Sequence, residues 1–451
     1  MKKYAPFFFL ALVFLLSGCE NEKQWTNLIK NDLTNWFQLN GTASFELKDD
    51  IITGTTVLNS PNSFLCTKEN YGDFILEFDT WFDPQINSGV QFRSGSSPDY
   101  QDGRVHGYQV ELDPSDRAWS GGIYDEARRG WLYTLDINPE GKKALKAGDW
   151  NHYRVEAIGN SIRTWVNGIP CADLIDALTP SGFIALQVHS IGNDSSKVGL
   201  QVKWKNIRII TEDPVKYATP YEPVIPQYSF LDNLLTEREL AEGWKLLFDG
   251  KTSSGWMNAG LKRFPDKGWV ISDGILTVDP EKESEDSGGD IVTADKYRNF
   301  ELIVDFLYWE GANSGIKYFV DIESDNVARS SIGCEYQIID DRQNQDAAAG
   351  IAGNRTLAGL YDLIAPKNKR DNGPGKWNRA SIVVKGNQVQ HWLNGQMTVE
   401  YERGNDEWRA LVATSKYKTF PGFGEAAEGR ILLQDHGAMV SFKNIKIREI
   451  E

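Results

Sequence analysis

The chain contains two copies of one pattern, and this internal duplication limits the folds open to it more than any other feature. Asn87-Ser88-Gly89 recurs 226 positions later as Asn313-Ser314-Gly315. The spacing has grown to 247 by the time Gln187-x-His189 recurs as Gln434-x-His436. A period of this length corresponds to a whole domain rather than to a short solenoid repeat. The sequence therefore predicts two related domains whose loops carry different insertions.

The first nineteen residues are typical of an export signal. Lys2-Lys3 is followed by an apolar run over residues 7–16, which is too short to span a membrane. Leu16-Ser17-Gly18-Cys19 resembles the bacterial lipobox. That resemblance implies a lipidated N-terminal Cys19 and a mature protein in the cell envelope, tethered to a membrane and either periplasmic or surface-exposed. An ordinary signal peptide cleaved nearby is the alternative.

Charge and cysteine content narrow the possible partners. A net charge of −15 and a pI near 5.0 disfavour nucleic acid as a partner, because phosphate binding requires basic patches. Beyond Cys19 the cysteines are Cys66, Cys171 and Cys334, an odd number without the spacing of zinc ligands. We expect all three to be buried free thiols.

The periodicity of both copies is that of β-strands. Segments such as Phe74–Asp79 and Phe300–Phe306 have stretches with a period of two residues. Asn167-Gly168 and Asn394-Gly395 are suited to two-residue type I′ hairpin turns. The sequence predicts an all-β protein made of two tandem concanavalin-like β-sandwich, or jelly-roll, domains.

Four prolines mark the boundary between the copies. Residues 213–235 contain Pro214, Pro220, Pro223 and Pro226, which favour an extended, semi-rigid connector. We therefore predict a first domain over residues 25–211, a linker over 212–235 and a second domain over 236–451. A capping box, with Thr236 three residues before a glutamate, begins the one short helix predicted near this boundary.

One strand in each copy carries polar side chains on one face. Glu335 and Gln337 are two residues apart, and so are Gln109, Glu111 and Asp113, so that each set shares a face of its strand. The acid and the amide occupy the same positions in the two copies in swapped order. A solvated sheet face is the simpler interpretation, but the recurrence of an acid and an amide favours a site.

Other polar residues recur in the same register. His189 and His436 each follow a glutamine by two residues, and Tyr124 corresponds to Tyr361 in a Gly-x-Tyr-Asp segment. In the first copy this segment leads into a charged cluster that includes Arg128. These residues join the candidate sites.

At these residues the chain resembles the 3-keto-disaccharide hydrolase domain family, a concanavalin-like β-sandwich frequent in exported bacterial proteins. The resemblance covers about residues 25–210 and 243–450. Its motifs in the second copy are Phe248-Asp249-Gly250, Asn313-Ser314-Gly315-Ile316, Gly333-x-Glu335-Tyr336-Gln337, Leu360-Tyr361-Asp362, His391-Trp392-Leu393-Asn394-Gly395 and Leu433-Gln434-Asp435-His436-Gly437. The chain departs from the family after Asp340-Asp341, where Asn344-Gln345 stands in place of a histidine.

The resemblance implies cleavage of 3-keto-glycosides by elimination and hydration. A ketone at C3 acidifies the C2 proton, so such a site needs a base, an acid for the leaving oxygen, and donors or a cation for the enolate. The implied catalytic residues are Glu335, His436 and Tyr361, with Glu111, His189 and Tyr124 as their counterparts in the first copy. The implied substrate-binding residues are Gln337, Gln434, Asn313, Asp340 and Lys317, and in the first copy Arg93, Gln109, Gln187, Asp113 and Arg128. A divalent metal on Glu335, Asp340 or His436 is a further option, and the second copy is favoured as the catalytic one.

Two other classes of function remain open. Glu111-x-Asp113-x-x-Asp116 loosely echoes the acidic strand of retaining glycosidases, although Glu111 and Asp116 would face opposite sides of a regular strand. A carbohydrate-binding lipoprotein without catalysis is the second class, since fold does not determine activity.

Overall fold

The protein is described by a computed structural model that covers residues 24–279, 289–322 and 331–451. The export signal and Cys19 lie outside these residues. In the described part of the chain no helix is long and apolar enough to cross a membrane.

The first copy is a sandwich of two sheets. Its strands are β1 (Thr26–Asn27), β2 (Trp36–Asn40), β3 (Ser44–Lys48), β4 (Ile51–Thr55), β5 (Ser63–Thr67), β6 (Phe74–Phe82), β7 (Ser88–Gly95), β8 (His106–Leu112), β9 (Ile123–Glu126), β10 (Gly130–Tyr133), β11 (Asn151–Ile158), β12 (Ser161–Val166), β13 (Ile169–Ile175), β14 (Phe183–Val188) and β15 (Gln201–Ile210). One sheet has the order β13-β12-β11-β6-β15-β4-β3, with β1 also on β15, and the other has the order β10-β9-β8-β7-β14-β5-β2.

The second copy repeats this arrangement with a smaller second sheet. Its strands are β17 (Lys245–Leu246), β18 (Trp256–Asn258), β19 (Trp269–Ser272), β20 (Ile275–Val278), β21 (Ile291–Thr293), β22 (Phe300–Tyr308), β23 (Asn313–Val320), β24 (Cys334–Ile339), β25 (Trp377–Lys385), β26 (Gln388–Leu393), β27 (Gln396–Glu402), β28 (Arg430–Leu433) and β29 (Val440–Glu449). The larger sheet runs β19-β20-β29-β22-β25-β26-β27, with β17 on β29, and the smaller runs β18-β21-β28-β23-β24. The described α-helices are α1 (Glu237–Ala241), α2 (Gln345–Ala349) and α3 (Asp406–Ala413).

Each pair of sheets encloses a core built from alternating residues. In the first copy Tyr108, Val110 and Leu112 of β8 face this core, as the period-two pattern predicts. In the second copy Tyr336 and Ile338 of β24 do the same. The polar residues between them therefore lie on the opposite face of the smaller sheet in each copy.

The predicted turns and caps form. Asn167-Gly168 joins β12 to β13 and Asn394-Gly395 joins β26 to β27, and all four residues have a positive φ, between 50° and 81°. Thr236 makes both hydrogen bonds of the predicted capping box at the start of α1. The three cysteines within the described residues are buried and free, as expected.

The linker is more than an extended connector. Tyr228–Ser229 forms a short strand, β16, that pairs in parallel with β13 and extends the larger sheet of the first copy. Further along, Asn233 exchanges backbone-to-side-chain hydrogen bonds with Asn444 of β29. The linker therefore contacts both sandwiches.

Candidate active site on the smaller sheet of the second copy

The pairing of β23 with β24 brings the main polar residues together. Lys317 lies opposite Glu335, and Gly315 lies opposite Gln337. Because Tyr336 faces the core, the side chains of these partners share the other face of the sheet. The predicted polar face thus forms, and it holds a lysine beside a glutamate.

Only glycine at position 315 leaves room for the Glu335 side chain. A Cβ atom on Gly315 would lie 2.9 Å from both Cγ and Cδ of Glu335 and closer still to its Oε1. The carboxylate therefore lies across the bare backbone of the neighbouring strand. The first copy has the same arrangement, with Gln109 lying across Gly89.

The Glu335 carboxyl is buried and surrounded by charge. Glu335 is only 4% exposed, and desolvation raises the pKa of its carboxyl above the usual value. Lys317, Lys416 and His436 act in the opposite direction, while the nearby carboxylate of Asp290 adds to the rise. A buried acid with a raised pKa is a stronger base than an ordinary carboxylate, and its cationic neighbours can stabilise charge formed beside it.

Two contributors to this cluster, Lys416 and Asp290, were not predicted from the sequence. Lys416 begins a single-turn 3₁₀-helix over Lys416–Thr419, and its ammonium lies 3.9 Å from the centre of the Tyr361 ring. Asp290 pairs with Lys317 at 3.6 Å. The signal that could have located Lys416 is the increase in copy spacing to 247, because the added residues before His436 contain α3 and this 3₁₀-helix.

Tyr361 is held beside the acid by its backbone and by its hydroxyl. Its N–H donates to the Glu335 carbonyl oxygen at 3.0 Å, and its hydroxyl donates to Asp346 at 2.7 Å. Burial and the Asp346 carboxylate raise the pKa of this phenol. Tyr361 is therefore a protonated hydrogen-bonding group in the cluster.

The amides and the histidine complete the cluster. Gln337 Nε2 donates to Asn313 Oδ1 at 3.1 Å, and its buried Oε1 has no hydrogen-bond partner among the described residues. Gln434 is held against β23 because its N–H donates to the Gly315 carbonyl oxygen at 2.9 Å. His436 is exposed, within electrostatic range of Glu335. A buried acceptor without a partner is rare in folded proteins and indicates a place for a ligand donor.

Asp340 departs from the expected binding role. Its carboxylate accepts hydrogen bonds from the backbone N–H groups of Gly311 and Arg342, at 2.8 and 3.0 Å. It therefore holds the turns at the end of β24. Within the described residues no group of three or more His, Cys, Asp or Glu side chains is arranged to hold a metal ion.

The first copy has different chemistry at the equivalent positions. Gln91 and Gln109 replace the lysine and glutamate, and Glu111 replaces the glutamine. Gln91 donates to Gln109 at 2.6 Å, and Gln109 donates to Glu111 at 2.7 Å. Asn87 and Arg117 also donate to Glu111, at 3.2 and 3.3 Å. Burial nevertheless raises the pKa of Glu111 to about 7.

Next to this chain of amides lies an open cleft of about 530 Å³. Asn87, Asp113 and His189 line it, together with Arg117 and with Arg370 of the second copy. Elsewhere in this sheet, Tyr124 of β9 lies opposite Gln109, and the buried Oε1 of Gln187 has no partner within the described ranges. The cleft thus contains Asp113 and His189, and hydrogen bonds from Asn87 and Arg117 connect it to Glu111 and so to Gln109.

Arg93 and Arg128 are exceptions. Arg93 is 1% exposed and donates to the carbonyl oxygens of Gly72 and Gly159, both at 2.8 Å, and to Asp73. It has a φ of 46° at an irregularity in β7, which turns its side chain away from the polar face. Arg128 donates to Asp125 and Thr179 and covers the Tyr108 ring. Both arginines thus have structural partners instead of the expected substrate-binding position.

The acidic triplet of the retaining-glycosidase alternative also does not assemble. Both Asp113 oxygens accept hydrogen bonds, from the Ser115 N–H and hydroxyl on one side and from Arg117 and the Trp119 N–H on the other. Asp116 is exposed in the loop beyond β8. A pair of carboxyl groups flanking one glycosidic bond is therefore not formed by Glu111 and Asp116.

Comparison with known proteins identifies the class to which this fold and site belong. Two stretches, residues 24–210 and 243–448, match the family described as the 3-keto-α-glucoside-1,2-lyase-like domain. The protein is an enzyme of the glycoside hydrolase or lyase type. The chain belongs to the 3-keto-α-glucoside-1,2-lyase-like domain family, and it contains two copies of that domain.

The chain is also similar to one curated protein and to solved structures. A 3-keto-disaccharide hydrolase of Bacteroides thetaiotaomicron is 34% identical over 232 residues, covering 47% of this chain and 80% of that protein. A solved structure from Parabacteroides distasonis, provisionally assigned as a glycosyl hydrolase, is 33% identical, with a TM-score of 0.45 over 49% of this chain and 100% of its own. A second Parabacteroides distasonis structure with the same provisional assignment is 26% identical, with a TM-score of 0.34 over 46% of this chain and 99% of its own.

Proposed function

We propose that the second copy hydrolyses 3-keto-glycosides, including 3-keto-disaccharides, by elimination followed by hydration. The observation that carries this proposal is the buried Glu335 carboxyl, with Lys317 on the same sheet face and Lys416 of the 3₁₀-helix within electrostatic range. The name of the Bacteroides relative supports the choice of substrate class.

Glu335 is the base in this scheme. It removes the proton from C2 of the sugar, which the C3 ketone has acidified, and negative charge develops on O3. The electron pair then forms the C1–C2 double bond while the C1–O bond breaks. A raised carboxyl pKa suits this role because it brings the base closer to the strength that the step requires.

The lysines and the histidine serve the two oxygens that gain charge. Lys317 and Lys416 lie within electrostatic range of the Glu335 carboxylate, so they are placed to stabilise an enolate formed next to it. His436, exposed at the rim, protonates the leaving oxygen. The Tyr361 hydroxyl already donates its proton to Asp346, which makes it a positioning group.

Hydration completes the reaction. Water adds its hydroxyl to C1 and gives its remaining proton to His436, while C2 regains a proton from Glu335, so that both residues return to their starting forms. The products are the 3-keto sugar and the released alcohol, and one water molecule is consumed overall.

The first copy is not the catalytic one in this proposal. Gln91 and Gln109 occupy the positions of the lysine and the glutamate, and neither amide can accept a proton from carbon. Glu111 retains an acid, but it stands where the second copy has Gln337. The base and its cation are therefore confined to the second copy.

The lipobox-like sequence supports an envelope location. We infer that Cys19 carries a lipid and tethers both sandwiches to a membrane, in the periplasm or at the cell surface. Replacement Cys19→Ser should release the protein into the soluble fraction. Retention of Cys19→Ser in the membrane fraction would contradict the anchor.

The catalytic proposal is tested with a 3-keto-glucoside and its unoxidised parent. The purified protein should cleave the first and leave the second intact. Glu335→Gln and His436→Ala should lose activity by about 10²–10⁴-fold, because each removes a proton-transfer group. The matched variants Glu111→Gln and His189→Ala should retain it. Equal rates on the parent glucoside would exclude the elimination route.

A further inference from the structure

We propose that the cleft of the first copy is a binding site, without catalysis, for a carbohydrate that bears a carboxylate. In this site the second copy contributes Arg370. The sugar part of the inference depends on the function proposed above, whereas the binding of an anion does not.

The charge of the cleft is opposite to that of the protein. Among the residues that line it, Arg117, Lys197 and Arg370 are cationic and Asp113 is the sole carboxylate. Asp113 is already saturated by hydrogen bonds from its own loop. Arg117 pairs with Asp113 at 2.7 Å and Lys197 with Asp194 at 3.9 Å, whereas Arg370 has no carboxylate partner within the described residues. An uncompensated guanidinium in a concave surface attracts anions.

Two guanidinium groups converge in this cleft from different copies. Arg117 and Arg370 contact the Trp119 ring at 4.7 and 4.5 Å from its centroid. Their mutual repulsion contributes, after desolvation, to a lowered Arg370 pKa. An anion between the two groups would relieve this repulsion, and a planar carboxylate matches the donor geometry of a guanidinium.

Arg370 is held in place but retains free donors. Asn394 donates to its carbonyl oxygen at 2.8 Å, and its Nε donates to Gln396 at 2.9 Å. Its two terminal nitrogens have no acceptor within the described ranges of the chain, so they can donate to a ligand. A side chain that is already ordered loses less conformational freedom on binding.

The rest of the cleft is suited to hydroxyl groups. His189 Nδ1 donates to the Ser190 carbonyl oxygen at 2.8 Å, which leaves Nε2 as an acceptor for a ligand. Asn87 and Ser115 add short polar side chains. A volume of about 530 Å³ lies within the usual range for small-molecule sites and accommodates a sugar ring with a substituent. Because Gln91 and Gln109 replace the lysine and glutamate pair, the cleft binds such a sugar without cleaving it.

The test is calorimetric titration of the full chain with three ligands: methyl glucuronide, methyl glucoside and acetate. Methyl glucuronide should bind more tightly than either of the others, and added salt should weaken its binding. Arg370→Gln should weaken it by about tenfold or more, as expected for a lost charge-assisted hydrogen bond. Arg409→Gln is the control, because Arg409 is an exposed arginine of the second copy that pairs with Glu425.

Each other outcome overturns the inference. If acetate binds as tightly as methyl glucuronide, the cleft is a simple anion site that does not recognise the sugar. If methyl glucoside binds as tightly as methyl glucuronide, the carboxylate contributes nothing to binding. Unchanged affinity in Arg370→Gln would exclude the contribution of the second copy. Glu335→Gln should bind methyl glucuronide normally, so failure of the proposed hydrolysis and failure of this site are distinguishable.

Discussion

Replacement of Gly315 by alanine tests how the proposed base is positioned. The new Cβ would lie 2.9 Å from Cγ and Cδ of Glu335, whereas carbon atoms in ordinary contact are about 3.5–4.0 Å apart. The backbone of β23 is fixed by its pairing with β24 and β28, so the carboxylate must move by roughly 0.6–1 Å. A displacement of about 1 Å can lower the rate on the order of 10²-fold. We expect such a loss although no functional group is removed.

The first copy provides the matched control. In Gly89→Ala the new Cβ would lie 2.5 Å from Nε2 of Gln109 and closer to its Cδ, so the same kind of clash arises. Both variants should be destabilised by about 1–3 kcal/mol, a typical cost of overpacking. Only Gly315→Ala should lose activity, measured as the initial rate on a 3-keto-glucoside beside a thermal unfolding curve. If Gly315→Ala retains the wild-type rate, or if both variants lose it equally, the reasoning about Glu335 is refuted.

Three further predictions concern charge. Lys317→Met removes a cation that lowers the pKa of Glu335, so the acidic limb of the kcat/KM profile should shift to higher pH. An unshifted limb would show that Lys317 does not influence the residue that acts as the base. The pKa of Glu111 is about 7 in the folded protein, above its unfolded value, so the stability it confers is complete at low pH and is lost as the pH rises through 7. This loss is about 3 kcal/mol, and urea unfolding should show a weaker pH dependence in Glu111→Gln. Asp305→Ala should lower the free energy of unfolding by about 3–5 kcal/mol, because it leaves the buried guanidinium of its arginine partner unpaired. Asp79→Ala should lower it by only about 0–1 kcal/mol, because the histidine partner of Asp79 is 45% exposed. Similar destabilisation in the two aspartate variants would contradict the argument from burial.

Local patterns predicted the framework well. The alternation in β8 and β24 correctly separated the core face from the polar face, because strand side chains alternate regardless of distant contacts. The Asn-Gly turns formed for an equally local reason, since both residues tolerate positive φ.

Departures arose where the alternation or the chain path is interrupted. Arg93 lies two residues after Gln91 and would share its face in a regular strand. The irregularity in β7, where Arg93 has a φ of 46°, turns its side chain to the other face. The linker was predicted to be extended, yet Tyr228–Ser229 pairs with the free edge of β13. Strand edges offer unpaired backbone groups to any neighbouring segment, and a local sequence window does not contain that partner.

By itself, the amino-acid sequence determined that the protein has two related β-sandwiches and that each presents an acid and amides on one sheet face. Those features depend on residue periodicity and on duplicated spacing, which are properties of the linear chain. Only the tertiary structure decided that Lys416 and Asp290 approach Glu335, and that Arg370 of one copy enters the cleft of the other. These residues come from loops far apart in sequence, and loops have no period from which their positions could be predicted.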